Sequence, residues 1–255
     1  MRHLLVTFAI AAMVLGLTPR TVLAQAAQTT PALDSMTVAQ LVAAGDTARA
    51  QKDFDQSIKY FEAALRKDRN NAVLYNKLGL TTLKQGDLAR ARVNFQKAAK
   101  YDPKLADALN NVGAVDYMQK NYNSAAKQFK KAIALEETRA TFHVNLGAAW
   151  FGQKKLERAI TEYARALELD PQVLATNSKT GVAAQIASPE ERANYSYMLA
   201  KIYAKRGNTE ECLRCLKMAK EEGYRNMKDV YRDEEFAGLR RDTRLAEIVP
   251  APDAK

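Results

Sequence analysis

The sequence predicts an all-α fold, a solenoid of about five helix hairpins closed by a C-terminal capping helical segment. Three observations carry this. Gly45, Gly79, Gly113 and Gly147 stand 34 residues apart. Phe61, Phe95, Phe129 and Tyr163 keep the same interval without an insertion, as do Ala64, Ala98, Ala132 and Ala166. Each period also holds two segments of helical spacing, such as Leu74, Leu78 and Leu83 and then Ala91, Phe95 and Ala98, divided by the polar break Gln85-Gly86-Asp87. A fixed period of this length marks a repeat array, in which no unit can bury its own apolar face and stacking supplies the core.

The chain opens with Met1-Arg2-His3, an apolar stretch from Leu4 to Leu17, and Val22-Leu23-Ala24 before Gln25. That order is the pattern of a secretory signal peptide over 1–24, with small residues at the cleavage site. Fourteen apolar residues fall short of the roughly 20 that span a bilayer, so cleavage is expected, with membrane attachment only if the segment is retained. Export to the periplasm or beyond, in a bacterial host, follows as the expected localisation. Residues 25–37, rich in Ala, Gln, Thr and Pro, read as a disordered spacer.

Four units then occupy 38–71, 72–105, 106–139 and 140–173. The series Phe54, Leu88, Tyr122 and Leu156 opens each second helix, and Ser57, Ala91, Ala125 and Ala159 keep its contact face small. Where the two helices of a unit cross, their axes approach closely only if one side chain is nearly absent, which is the role expected of the glycine series. The aromatic sixteen residues after each glycine is expected to fill the space between neighbouring units. Asp102-Pro103 and Asp170-Pro171 mark helix ends, because proline cannot continue a helix and restricts the residue before it.

About nineteen residues interrupt the period after the fourth unit, since Gly147 and Ala200 are 53 apart rather than 34. The segment 174–188 has no helical stripe and reads as an inserted loop with some strand tendency. Ser188-Pro189-Glu190-Glu191 restarts a helix with a capping serine and proline at the first helical position, opening a fifth hairpin over 189–226. Beyond Gly223, the aspartates Asp233 and Asp242 open two short capping helices within 227–249, which cover the apolar edge of the last unit. A tail follows from 250 to 255.

Leu78, Gly79, Ala91, Phe95, Ala98 and Pro103 together resemble the tetratricopeptide repeat, and the closing segment is similar to those that end bacterial arrays of this family. The resemblance implies a right-handed α-solenoid that binds and does no chemistry. It also implies a concave groove, lined by the first helix of each unit, for a protein or peptide partner. Carried onto this chain, the groove positions include Asn76, Leu80, Leu83, Lys84, Asn110, Tyr117, Met118, Val144 and Phe151. Tyr117 and Phe151 offer apolar anchors, while Asn76 and Asn110 suit the backbone of an extended peptide or a short helix. Some family members grip a terminal carboxylate with a Lys/Asn/Asn/Lys/Arg set; here those positions hold Val42, Asp46, Lys77, Asp107 and Asn111, so that clamp is absent.

Loss of Arg2 and Arg20 with the signal leaves a net charge of +8. Seven Lys and Arg face two aspartates in the second unit, an excess that suits an anionic envelope polymer as an alternative partner. A nucleic-acid partner is not expected. Catalysis finds little support: His143 is the one histidine outside the signal and holds a packing position, and no cofactor or metal motif is present. Cys212-Leu-Arg-Cys215 is the remaining candidate, either as a disulfide or as a thiol oxidoreductase pair. It falls inside the second helix of the fifth hairpin, whereas redox cysteines sit at a helix N-terminus that stabilises the thiolate.

Overall fold

The computed structural model describes residues 33–174 and 189–251, and every regular element in them is helical. The expected signal peptide, the spacer up to residue 32 and the inserted loop from 175 to 188 lie outside the described residues. Eight helices form four antiparallel hairpins: α1 (Val38–Ala50) with α2 (Phe54–Lys67), α3 (Ala72–Gln85) with α4 (Leu88–Tyr101), α5 (Ala106–Met118) with α6 (Tyr122–Leu135), and α7 (Ala140–Gly152) with α8 (Leu156–Leu169). A fifth hairpin, α9 (Pro189–Lys205) and α10 (Thr209–Glu221), is followed by 3-10 turns at Met227–Tyr231 and Glu234–Leu239 and by the short α11 (Thr243–Ile248). The second helix of each hairpin packs against the first helix of the next, which makes the chain an all-α solenoid.

Local chemistry sets the helix ends. Asp53, Asn71, Asp87 and Asn208 each accept a hydrogen bond from the backbone N–H three residues on, satisfying donors the helix leaves open. Thr37 and Gln40 close a reciprocal capping box at α1. The turn between the two helices of a unit needs one residue in the left-handed region. Gly86 supplies it at φ 92°, but Lys52, Lys120 and Lys154 fill the same place at 63°, 61° and 60°. A side chain with a Cβ holds that conformation at a cost of about 1 kcal/mol.

The glycine series sits at the helix crossings. A Cβ on Gly79 would lie 2.5 Å from the Phe95 ring, on Gly45 2.6 Å from Phe61, on Gly113 2.7 Å from Phe129, and on Gly147 3.1 Å from Tyr163. Each aromatic therefore closes first onto the glycine of its own unit, where the spacing had pointed to the gap between units. It still reaches the next unit, since Phe95 shares a core cluster with Val112 and Val115.

Two terminal features depart from expectation. Leu33–Ser35 forms a 3-10 turn, with Leu33 and Met36 packed on the first core cluster, so the spacer becomes ordered before residue 38. Asp242 caps α11 as expected, by accepting from the Arg244 N–H at 3.0 Å. Asp233 stands at the N-cap of its turn but makes no capping bond. Its carboxylate instead accepts from the Tyr197 hydroxyl at 2.9 Å and faces Lys201 at 3.3 Å, tying the closing segment to α9. Phe236, Leu239 and Leu245 are all but fully buried and extend the core that begins at Tyr117.

Candidate functional site

The first helices of neighbouring units are joined by a ladder of side-chain amides. Asn111 donates to the Asn76 Oδ1 at 2.9 Å, and Asn145 donates to the Asn110 Oδ1 at 2.8 Å. Asn76 and Asn110 therefore spend an acceptor on the next unit, and the pairing gives Asn111 and Asn145 a structural role. Leu80 and Leu83 pack against the cluster of Ala91, Phe95, Val112 and Val115, Val144 is in the core at 1% exposure, and Lys84 is exposed. Of the nine groove positions, Tyr117, Met118 and Phe151 come together around one opening.

That opening is a cavity of about 440 Å³ between the C-terminal ends of α5 and α7 and the first two turns of α9. Tyr117, Met118, Tyr122, Phe151 and Leu156 line it, and Lys120, Lys154, Glu191 and Asn194 supply its polar groups. Tyr117 and Tyr122 meet with centroids 5.3 Å apart, and Phe151 stands edge-on to Tyr195 at 5.9 Å. Burial, with Tyr122 and Glu191 beside it, pushes the Tyr117 phenol up to about 12, so it serves as a neutral hydroxyl. Burial and Glu191 raise the Tyr122 phenol as well. An aromatic-walled pocket with a few polar groups at its mouth suits an apolar side chain presented by a chain that carries its own polar backbone.

Sequence reasoning missed several of these residues. Tyr122 and Leu156 carried a signal, because they belong to the 34-residue series that opens each second helix. Glu191 and Asn194 carried none, since α9 follows the break in the period.

The other candidates fare differently. Within the second unit, Lys77 pairs with Asp46 at 2.7 Å, Arg90 with Glu62, and Arg92 with Asp116 at 2.8 Å. Three of its seven cations are thus matched by acids of adjoining units, which a count within one unit does not see. Cys212 and Cys215 are free thiols, buried in α10, and burial pushes both up to about 12. His143 bridges α7 and α8: Nδ1 lies 2.8 Å from the Glu162 carboxylate, and Nε2 lies 3.0 Å from the Glu137 carbonyl. Its place is a hydrogen-bonded one as well as a packed one. No group of three metal-ligating side chains occurs among the described residues.

The family model described as tetratricopeptide repeat matches residues 42–100, 76–135 and 117–173. No curated protein matches the chain. Among solved structures, a MamA protein is 21% identical, over 77% of this chain and 95% of its own, with a TM-score of 0.53. The pilF protein of Pseudomonas aeruginosa is 18% identical, over 84% and 93%, with a TM-score of 0.54. YrrB, described as a tetratricopeptide repeat protein with an unusual peptide-binding site, is 18% identical, over 76% and 90%, with a TM-score of 0.50. At these identities the likeness is one of fold.

Proposed function

The chain belongs to the tetratricopeptide repeat family, and on that premise we propose that it is a non-catalytic scaffold for a peptide or protein partner. The observation that carries this reading is the cavity of about 440 Å³ bounded by α5, α7 and α9. Its volume suits one or two large apolar side chains, and the groups at its mouth suit the backbone that bears them. The walls come from three packed hairpins, so the pocket exists before the partner arrives and little ordering opposes binding. The peptide-binding site described for YrrB is in keeping with a peptide occupant.

The partner is met outside the cytoplasm in this reading, since residues 1–24 have the pattern of an export signal. Mass spectrometry of the mature chain should then find Gln25 at the N-terminus in the envelope fraction, and an intact Met1 would contradict export. For binding, residues 25–255 serve as bait in envelope extract beside a Phe151→Ala, Leu156→Glu variant of unchanged helical content. A discrete protein held by the parent and lost from the variant is the expected result. Equal capture by both removes the cavity from the function.

A further inference from the structure

Trp150 is the only tryptophan of the chain, and it lies in the last turn of α7 with its side chain largely covered. Three cations converge on its ring. Lys130 Nζ is 4.8 Å from the ring centroid, Lys155 Nζ 5.0 Å and the Arg158 guanidinium carbon 5.0 Å. They come from α6, from the turn before α8, and from α8 itself. With each charge so close to one centroid, no two are more than about 10 Å apart, about one Debye length at 0.1 M ionic strength, so their mutual repulsion grows as salt is lowered.

These cations are not paired as those of the second unit are. Among the described residues, none of Lys127, Lys130, Lys155 and Arg158 forms an ion pair. Lys155 bonds to the neutral Gln153 amide at 2.8 Å, and Glu162, the carboxylate at the edge, is held by His143. Two adjoining clefts of about 280 Å³ each flank the indole and share Lys130, one reaching Lys127 and Lys155 and the other bounded by Arg158, Thr161 and Glu162. No residue lining either of them lines the cavity between α5 and α7.

We propose that this α6–α8 face is a second binding site, and that its occupant is an acidic peptide segment laid along the two clefts that flank Trp150. A cation is attracted to an indole face, but three sharing one ring also repel one another, and carboxylates placed between them relieve that repulsion. Arg158 presents a planar fork that matches a carboxylate, and the lysines act as point charges. The extent of the face decides between a peptide and a bare anion. Lys127, Lys130, Lys155 and Arg158 are spread over both clefts, which successive carboxylates of one peptide occupy together and a single inorganic anion does not.

The single tryptophan reports on the site directly. The full chain is titrated with hexaglutamate at low ionic strength, beside hexaglutamine, inorganic phosphate and vesicles of phosphatidylglycerol and phosphatidylcholine, while Trp150 emission is followed. The expected result is a saturable change with hexaglutamate alone, weakened at high salt. In Lys130→Gln, Arg158→Gln, whose substituted side chains are exposed, affinity should fall by about tenfold or more. A separate Lys127→Gln variant should show a smaller loss with unchanged helical content. An unresponsive Trp150, or an affinity equal in parent and double variant, overturns the site. An equal response to hexaglutamine, phosphate or vesicles overturns the acidic peptide as its occupant.

Discussion

Alanine at Gly79 should destabilise the array, and alanine at Gly147 should leave it nearly unchanged. Two opposing effects act at both positions. Alanine is the better helix former by about 1 kcal/mol, because it restricts the unfolded chain and adds no side-chain freedom to lose. Against this stands overpacking, worth roughly 1 to 3 kcal/mol in a tight core. At Gly79 the new Cβ would fall 2.5 Å from Phe95 Cε1 and 2.6 Å from Cδ1, and that ring is 0% exposed with core residues around it. Either the ring leaves its rotamer or α3 and α4 move apart, so overpacking sits at the upper end and the net loss is about 1 to 2 kcal/mol. At Gly147 the contacts are 3.1 Å, all to the Tyr163 ring, and a shift of a few tenths of an ångström relieves them. There the helical gain offsets the strain. In a protein of this size the Gly79 loss corresponds to a fall in Tm of roughly 2 to 8 °C. Thermal and urea unfolding followed by far-ultraviolet circular dichroism measures it. Equal destabilisation by the two substitutions, or the reverse order, would refute the crossing geometry as the reason for the glycine series.

Arg92→Ala leaves the Asp116 carboxylate, 1% exposed, with the Ser124 hydroxyl as its remaining side-chain partner. Since Arg92 itself is 37% exposed, the loss in urea unfolding should be about 2 to 3 kcal/mol, below that of a fully buried pair; an unchanged midpoint would deny the bridge a role. Cys212 and Cys215, with pKa values raised from 9.0 to about 12, should react with a thiol reagent in the native protein roughly a thousandfold more slowly than in denaturant. The folded state favours their protonated form, so their contribution to stability is full below pH 9 and is lost as pH rises toward 12, which an alkaline unfolding series checks. Lys120→Gly releases a left-handed backbone at φ 61° and should raise stability by about 0.5 to 1 kcal/mol; a lower Tm would contradict that.

The period was legible because one steric requirement, a missing side chain opposite a ring sixteen residues on, recurs in every unit and leaves its mark at fixed positions. The partners chosen across unit boundaries were not. Asn76 and Asn110 looked free for a ligand because nothing in one unit's sequence says that the amide of the next unit, 35 residues away, will reach them. Charge misled in the same manner. The second unit carries the visible excess, yet Asp46, Glu62 and Asp116 from its neighbours match part of it. The third and fourth units are nearly balanced in number, but Glu162, the acid beside the Trp150 cations, is bonded to His143, and those cations are left together. The cavity was half legible: Tyr117, Met118 and Phe151 follow from the repeat register, whereas Glu191 and Asn194 enter only because α9 packs beside α8 after an insertion of unknown path from the sequence alone.

Photo-crosslinking in living host cells tests the scaffold reading most directly. A photoreactive residue replaces Leu156, 48% exposed at the cavity, or Val93, 49% exposed on α4 and not part of the cavity lining. One discrete protein should be crosslinked from position 156 and none from position 93. No adduct at 156, or the same adducts from both positions, would contradict a partner held in the cavity.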